Sequence, residues 1–223
     1  MRGRGRNRWS QRLHSHVENL KSLYVFVTIL FVVGVIFGGI VVEVLDITQK
    51  EGLLNYLGHF FQGLKHDEIA DPEITFQHAL GAHMKILGII WILGISVIGI
   101  PILLIIIFLK GFVVGFTVSF LVTQLSWSGL WFAFVSVVPP NLIVVPAYII
   151  VIVSGIHFSV YLVRNRLIRH RGFVYPEFLS YCFLVLCMAV FLFIAAGIEA
   201  YLLPIWMKKV IPKVGVILPV ILQ

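Results

Sequence analysis

The sequence predicts an all-α polytopic membrane protein, and three observations support that prediction. The 223-residue chain is 60% hydrophobic but only 12% charged, whereas soluble domains carry about a quarter charged residues. Several uncharged stretches exceed the roughly 20 residues that a helix needs to cross a bilayer. The sequence also lacks the period-two alternation of a transmembrane barrel. We therefore expect a bundle of membrane-spanning helices.

We expect five spans within a membrane domain of residues 23–206. The first apolar run is longer than the core of a signal peptide, and no A-x-A-like cleavage site follows it, so we interpret it as a retained span. The predicted spans are about 23–42, 86–108, 111–126, 142–163 and 178–203.

Charge predicts the orientation of these spans. Arginines crowd residues 1–22 and recur at 164–171, whereas the loop 43–85 is rich in acidic residues. Because cytoplasmic loops carry the excess of Lys and Arg, we place the N-terminus inside and the acidic loop outside. With five spans the C-terminal tail, 207–223, is also outside. The net charge of +7 lies beside apolar runs, which predicts contact with the lipid bilayer and not with nucleic acid.

The stretch from Gly111 to Val163 contains no charged residue, and as a helix it would measure roughly 80 Å. Two spans keep the arginines of 164–171 inside, whereas three would place them outside. We therefore expect residues 127–141 to form a surplus connection in the outer interface, broken by Pro139 and Pro140. Lys110 is predicted to mark a tight cytoplasmic hairpin between the second and third spans, with its ammonium reaching the interface.

The outer loop contains a predicted amphipathic helix within "EGLLNYLGHFFQGLKHD". Apolar residues recur there at helical spacing, with polar residues opposite, which predicts a helix lying on the outer leaflet or docked on a partner. The apolar face comprises Leu53, Leu57, Phe60 and Leu64, and the polar face Asn55, His59, Gln62 and His66. A second helix is predicted to start at Asp71 and Pro72, and to continue into the second span.

We predict no catalytic, cofactor-binding or metal-binding residues. His78 and His83 are five apart, so a helix does not place them on one side, and His59 and His66 are interpreted as part of a solvated face. His157 is interpreted as a neutral histidine bonded to a neighbouring helix. The two cysteines, Cys182 and Cys187, are also five apart within an apolar run, which favours packing over a disulfide or a metal site.

Glu199 is the only carboxylate inside a predicted span. Intramembrane acids are commonly functional, but this one lies near the predicted outer boundary. A proton or ion relay would need a second buried charge, and we identify none. A structural role is therefore expected for Glu199.

Two glycine pairs, Gly34/Gly38 and Gly111/Gly115, have the small-xxx-small spacing that lets helices approach closely in lipid. Together they predict a tightly packed bundle, and they leave a homodimer open.

Three segments carry a resemblance to a known family: "HALGAHMKILGIIWILGISVIGIPILLIIIFLKGFVVGF", "PPNLIVVPAYIIVIVSGIHF" and "FIAAGIEAYLLP". With the basic N-terminus and the five-span plan, the chain resembles the stage II sporulation protein M family of endospore-forming bacteria. The shared marks are the glycine-rich second and third spans, the proline-asparagine pair and the late acid Glu199. The chain departs from the family where a His-Gly and an acidic residue often follow that proline, since Asn141 and Leu142 stand there.

The resemblance implies a non-catalytic scaffold in the multi-pass membrane of a sporulating bacterium. Such proteins hold two peptidoglycan hydrolases, stage II sporulation proteins D and P, at the septal membrane of the mother cell during engulfment. The alternative is a small transporter or permease subunit, but transporters usually place ionisable groups near the midplane, and we identify none there. An intramembrane enzyme is not expected, because the sequence shows no nucleophile–base pair.

Overall fold

A computed structural model describes residues 4–65, 71–164 and 175–214, with side chains over 20–63, 71–164 and 175–210. The fold is all-α, and the described residues contain no strand. The helices are α1 (Arg4–Val44), α2 (Ile47–Lys65), α3 (Pro72–Gly94), α4 (Gly99–Val163), α5 (Tyr175–Gly197), a π-helical turn (Ile198–Leu202) and α6 (Leu203–Val214). The arginine cluster beyond Arg164, the histidine at 66 and the last nine residues lie outside the described residues.

Helix α4 is folded back on itself at Ser126, whose backbone has φ 50° and ψ −133°. Beyond this kink, the Cα of Gly129 lies against the backbone of Leu121, so close that an added Cβ would collide with its carbonyl group. Residues eight apart in a straight helix are about 12 Å apart along the axis, so this contact requires a reversal. We call residues 99–125 the N-arm and residues 127–163 the C-arm.

Contacts along the bundle show how the helices are oriented. Gly94 of α3, Gly155 of the C-arm and Tyr181 of α5 meet at one end. At the other end, Phe61 of α2 and Met207 of α6 share an apolar cluster with both arms next to Ser126. Helix α3, the N-arm, the C-arm and α5 therefore alternate in direction along the bundle, and the glycine contacts described below place α1 parallel to the N-arm.

Four described helical stretches are long and apolar enough to cross a membrane: Leu20–Val44, Pro72–Gly94, Gly99–Val163 and Tyr175–Val210. The third of these stretches is a hairpin. Each of its two arms is longer than the roughly 20 residues that a span requires. The alternating directions are compatible with five spans. The number of spans and their orientation remain predictions.

The predicted boundary between the second and third spans is wrong. The chain turns at residues 95–98, between the end of α3 and Gly99, and not at Lys110. Lys110 lies inside a continuous helix, at a position where a cavity accommodates its charge. A lone charge in an apolar run was interpreted as a contact with the cytoplasm, but it marks a polar site within the bundle.

The predicted surplus connection 127–141 is also wrong, because these residues form the start of the C-arm. Pro139 and Pro140 lie inside that helix and do not break it. Their missing N–H groups leave the carbonyls four residues earlier without helical partners. Two side chains add hydrogen bonds to nearby carbonyls: Ser136 Oγ donates to the Phe132 carbonyl (2.7 Å), and Asn141 Nδ2 donates to the Val137 carbonyl (2.8 Å). Membrane helices tolerate proline where side chains and neighbouring helices adjust the local hydrogen bonding.

The predicted helix start at Asp71 is confirmed. Its Oδ1 accepts a hydrogen bond from the backbone N–H of Glu73 (3.1 Å), and Pro72 takes the first helical position.

The helix in the outer loop also forms, as α2, but its packing differs from the prediction. The buried anchor is Phe61, whose ring meets Phe132 edge-on at a centroid distance of 4.9 Å. Leu57 packs inward against the same cluster, whereas Phe60 is exposed.

The two glycine pairs pack reciprocally, one on α1 and the other on the N-arm. A Cβ added at Gly34 or Gly38 would strike the carbonyl oxygens of Phe108 or Phe112, and one added at Gly111 or Gly115 would strike those of α1. Residues further along α1 contact residues further along the N-arm, so the two helices run parallel. Tight packing is thus observed within the chain, and a homodimer remains a prediction without support from these glycines.

We expect Gly115→Ala to lower the thermal stability of the detergent-solubilised protein. The added Cβ would collide with the Val35 backbone, and overpacking of this kind costs roughly 1–3 kcal/mol. Gly88→Ala is the matched control, because nothing lies within 4 Å of its added Cβ. That change should be neutral or stabilising, since alanine is the better helix former. Equal melting temperatures for both variants would contradict the contact.

The turn at residues 95–98 predicts a labelling pattern in a variant without Cys182 and Cys187. With the N-terminus inside, Ser96→Cys should react in intact cells only with a membrane-permeant thiol reagent. Asp46→Cys, between α1 and α2, should react with an impermeant reagent. Both residues are exposed, so burial does not limit the reaction. Impermeant labelling at Ser96 would reverse the predicted orientation.

Candidate functional site

A cavity of about 290 Å³ lies between the two arms of α4 and the π-helical turn. Its polar lining combines an ammonium group, a carboxylate, two hydroxyl groups and an amide. The lining residues are Lys110, Val113, Val114, Thr117, Ser136, Val137, Pro140, Asn141, Glu199 and Leu203.

The polar residues lie at mid-depth in the bundle. By a rise of 1.5 Å per residue, Lys110 is roughly 17 Å along the N-arm from Gly99. His83 is roughly 17 Å along α3 from Gly94, counted from the same turn. A hydrocarbon core is about 30 Å thick. The site therefore lies well inside the part of the bundle that is apolar enough to span a membrane.

Glu199 is held by a hydrogen-bonded chain that crosses the bundle. His83 Nε2 lies 3.2 Å from Glu199 Oε1, and Tyr148 Oη lies 3.4 Å from His83 Nδ1. With an ionised carboxylate and a neutral imidazole, Nε2–H donates to Glu199 and the tyrosine hydroxyl donates to Nδ1. His83 is buried, and the Glu199 side chain retains 27% exposure. One carboxylate oxygen is thereby fixed, while the group still borders the cavity.

The π-helical turn explains how Glu199 reaches this position. Residues Ile198–Leu202 form the wider turn between α5 and α6, and Glu199 lies in its first part. A π turn inserts an extra residue, which shifts the helix face presented to its neighbours, and such turns are frequent at functional sites.

The neutral polar side chains of the lining present oxygen atoms to the cavity. Thr117 Oγ1 donates its proton to the Val113 carbonyl (2.8 Å), while Ser136 and Asn141 donate to carbonyls of the C-arm. The donor groups of these three side chains are thus used in hydrogen bonds within their own helices. The other end of the Asn141 amide, Oδ1, is buried and has no hydrogen-bond partner among the described residues.

Lys110 supplies the opposite charge. It lines the cavity together with Glu199, and the two groups attract each other electrostatically. The prediction that no second buried charge accompanies Glu199 is therefore wrong. The distance between the two residues in the sequence concealed the pair, because the hairpin and the π-helical turn bring them together.

The other histidines that the sequence singled out within the described residues, and the two cysteines, are not part of this hydrogen-bonded chain. His59 and His78 are exposed, His157 is half-buried in the C-arm, and both cysteines are free and partly buried. Sequence reasoning missed Thr117, Ser136 and Tyr148, since a hydroxyl in an apolar helix gives no positional signal. Asn141 did give one, because an amide in a long apolar stretch is costly unless it is used, but it was assigned to the predicted connection 127–141.

The comparisons with known proteins identify one family. Residues 27–204, more than half of the chain, match the family model described as Stage II sporulation protein M. All the cavity-lining residues fall within the matched range. No curated protein and no solved structure matches the chain.

The network around Glu199 predicts strong coupling between His83 and Glu199. A double-mutant cycle of His83→Leu and Glu199→Leu, followed by thermal unfolding, should give a coupling energy of about 0.5–3 kcal/mol. Each single change leaves a buried polar group without its partner, whereas the double change removes both groups. Additive effects of the two substitutions would show that the contact contributes nothing to stability.

Proposed function

Because the chain belongs to the Stage II sporulation protein M family, we propose that it is a non-catalytic scaffold that localises peptidoglycan hydrolases at the septal membrane during engulfment. The family match over residues 27–204 carries this proposal. Membership makes the chain a sporulation membrane protein, and the family is not a known enzyme family. The proposed partners are stage II sporulation proteins D and P, whose substrate lies outside the membrane.

The end of the bundle near Ser126 supports a docking role. Helix α2 is seated there through Phe61, and it leaves Tyr56 and Phe60 exposed. Trp127 and Trp131, just beyond the kink, are exposed at the same end. Exposed aromatic side chains are enriched in binding sites, and tryptophan also anchors helices at the lipid interface. In the predicted orientation this end faces the cell wall.

The polar cavity favours a second candidate, a small transporter or permease subunit. Transporters place ionisable groups at mid-depth, where broken helices meet. The cavity combines Lys110 and Glu199 with a kinked hairpin and a π-helical turn. The argument against a transporter in the sequence analysis was that no ionisable group lies near the midplane. Lys110 and Glu199 remove that argument.

Affinity capture from sporulating cells tests the scaffold and separates the two candidates. The full-length tagged protein, solubilised in mild detergent, should retain stage II sporulation proteins D and P. Recovery of a soluble ATPase subunit, without either hydrolase, would contradict the scaffold and support the permease.

Tyr56→Asp should weaken hydrolase retention about tenfold, a loss of roughly 1.4 kcal/mol that is typical of an aromatic interface residue. Tyr175→Asp is the matched control, since this tyrosine is similarly exposed (71% against 76%) but begins α5 at the opposite end of the bundle. Retention that is unchanged by Tyr56→Asp, or lost with Tyr175→Asp, would exclude α2 as the docking surface.

A further inference from the structure

We propose that the cavity between the arms of α4 and the π-helical turn binds a monovalent alkali cation, for which the ammonium of Lys110 is a built-in competitor. The proposal does not rest on the scaffold function, because it concerns the interior of the bundle and not the end that is proposed to dock hydrolases.

The chemistry of the lining favours a cation. The hydroxyl groups of Thr117 and Ser136 and the amide nitrogen of Asn141 donate to their own helices, which leaves their oxygens as acceptors. Asn141 Oδ1 is buried with no partner among the described residues. Leaving a buried acceptor unpaired costs roughly 1–3 kcal/mol. A bound cation would satisfy it.

The prolines add further acceptors. Proline lacks an N–H group, so the carbonyl four residues earlier in the helix loses its partner. For Pro140, inside the C-arm, that carbonyl belongs to Ser136, and both residues line the cavity. Carbonyls released from a broken helix are the groups that coordinate Na⁺ in membrane transporters.

The charge of the site selects a monovalent ion. Glu199 is the only carboxylate in the lining, whereas Ca²⁺ sites combine several carboxylates with neutral oxygens. Transition metals prefer imidazole and thiolate ligands, and the described residues contain no group of three His, Cys, Asp or Glu suited to a metal. One carboxylate with hydroxyl, amide and carbonyl oxygens fits a singly charged ion.

His83 and Tyr148 act as positioning residues for this site. They fix Glu199 Oε1 through the chain of hydrogen bonds from the C-arm and α3, and the carboxylate borders the cavity, where its other oxygen is available to a ligand. The volume of about 290 Å³ exceeds that of an ion alone, so several waters would complete its coordination, at roughly 30 Å³ each.

Lys110 opposes binding through its charge. Its ammonium and an entering cation are both attracted to Glu199, and the two positive charges repel each other in a medium of low dielectric constant. Displacement of the ammonium from Glu199 as the cation enters relieves this repulsion. The titratable groups that face Glu199 are His83 from α3, together with Lys110 and Tyr148 from α4.

The test measures Na⁺ binding to the purified full-length protein. We expect NaCl to raise the melting temperature more than choline chloride at equal ionic strength, because a ligand that binds only the folded state stabilises it. Radioactive ²²Na⁺ should bind saturably. Equal shifts with NaCl, KCl and choline chloride, together with no saturable ²²Na⁺ binding, would overturn the proposal.

Variants distinguish a cation site from a structural ion pair. Glu199→Gln and Asn141→Leu should each weaken Na⁺ binding at least tenfold, whereas Lys110→Met should strengthen it. A purely structural pair would lose stability in Lys110→Met and would show no gain in Na⁺ binding. Weaker Na⁺ binding in Lys110→Met than in the unaltered protein would also contradict the competitor role. Should Lys110→Met fail to fold, Lys110→Gln removes the same charge with a polar side chain and should likewise strengthen ²²Na⁺ binding.

Discussion

The reciprocal glycine contact between α1 and the N-arm of α4 is the constraint on which the rest of the bundle depends. Each glycine pair faces the backbone of the other helix, at distances that no side chain permits. In lipid, where apolar side chains gain little from leaving their surroundings, close backbone packing is a principal source of helix association. The contact fixes the two helices in parallel, and a short turn at residues 95–98 then requires α3 to run in the opposite direction.

This arrangement determines where the charges lie. With α1 against one face of the N-arm, the cavity next to Lys110 is lined on its other sides by the C-arm and by the π-helical turn. A charge inside a membrane bundle must be paired or solvated, because its isolated burial costs several kcal/mol. Glu199 and the oxygen-lined cavity meet that requirement. The N-arm thus packs closely against α1 through the glycine pairs, and it also contributes to the lining of the polar cavity.

The sequence indicated much of this bundle, for physical reasons. Hydropathy and length identified an all-α membrane protein, Asp71 and Pro72 gave the start of α3, and the glycine pairs marked close packing. It misplaced the turn, because Lys110 was the only charge between the second and third predicted spans, whereas Gly94 and Gly99 flank the actual turn as close packing contacts. The pairing of Lys110 with Glu199 could not be predicted, since it depends on a reversal at a single serine. Phe61 was missed for a similar reason, because its partner Phe132 lies on a segment that was interpreted as a connection.

Cysteine cross-linking between α1 and the N-arm tests the central claim most directly. Phe37 and Phe108 have ring centroids 6.0 Å apart, so Phe37→Cys with Phe108→Cys, in a variant without Cys182 and Cys187, should form a disulfide under mild oxidation. The account predicts a cross-link within one chain, seen as a monomer whose two halves stay joined after cleavage by a protease at a site introduced into the α2–α3 connection. A disulfide-linked dimer, or two free thiols, would contradict it, because the glycine pairs would then pack between chains or not at all.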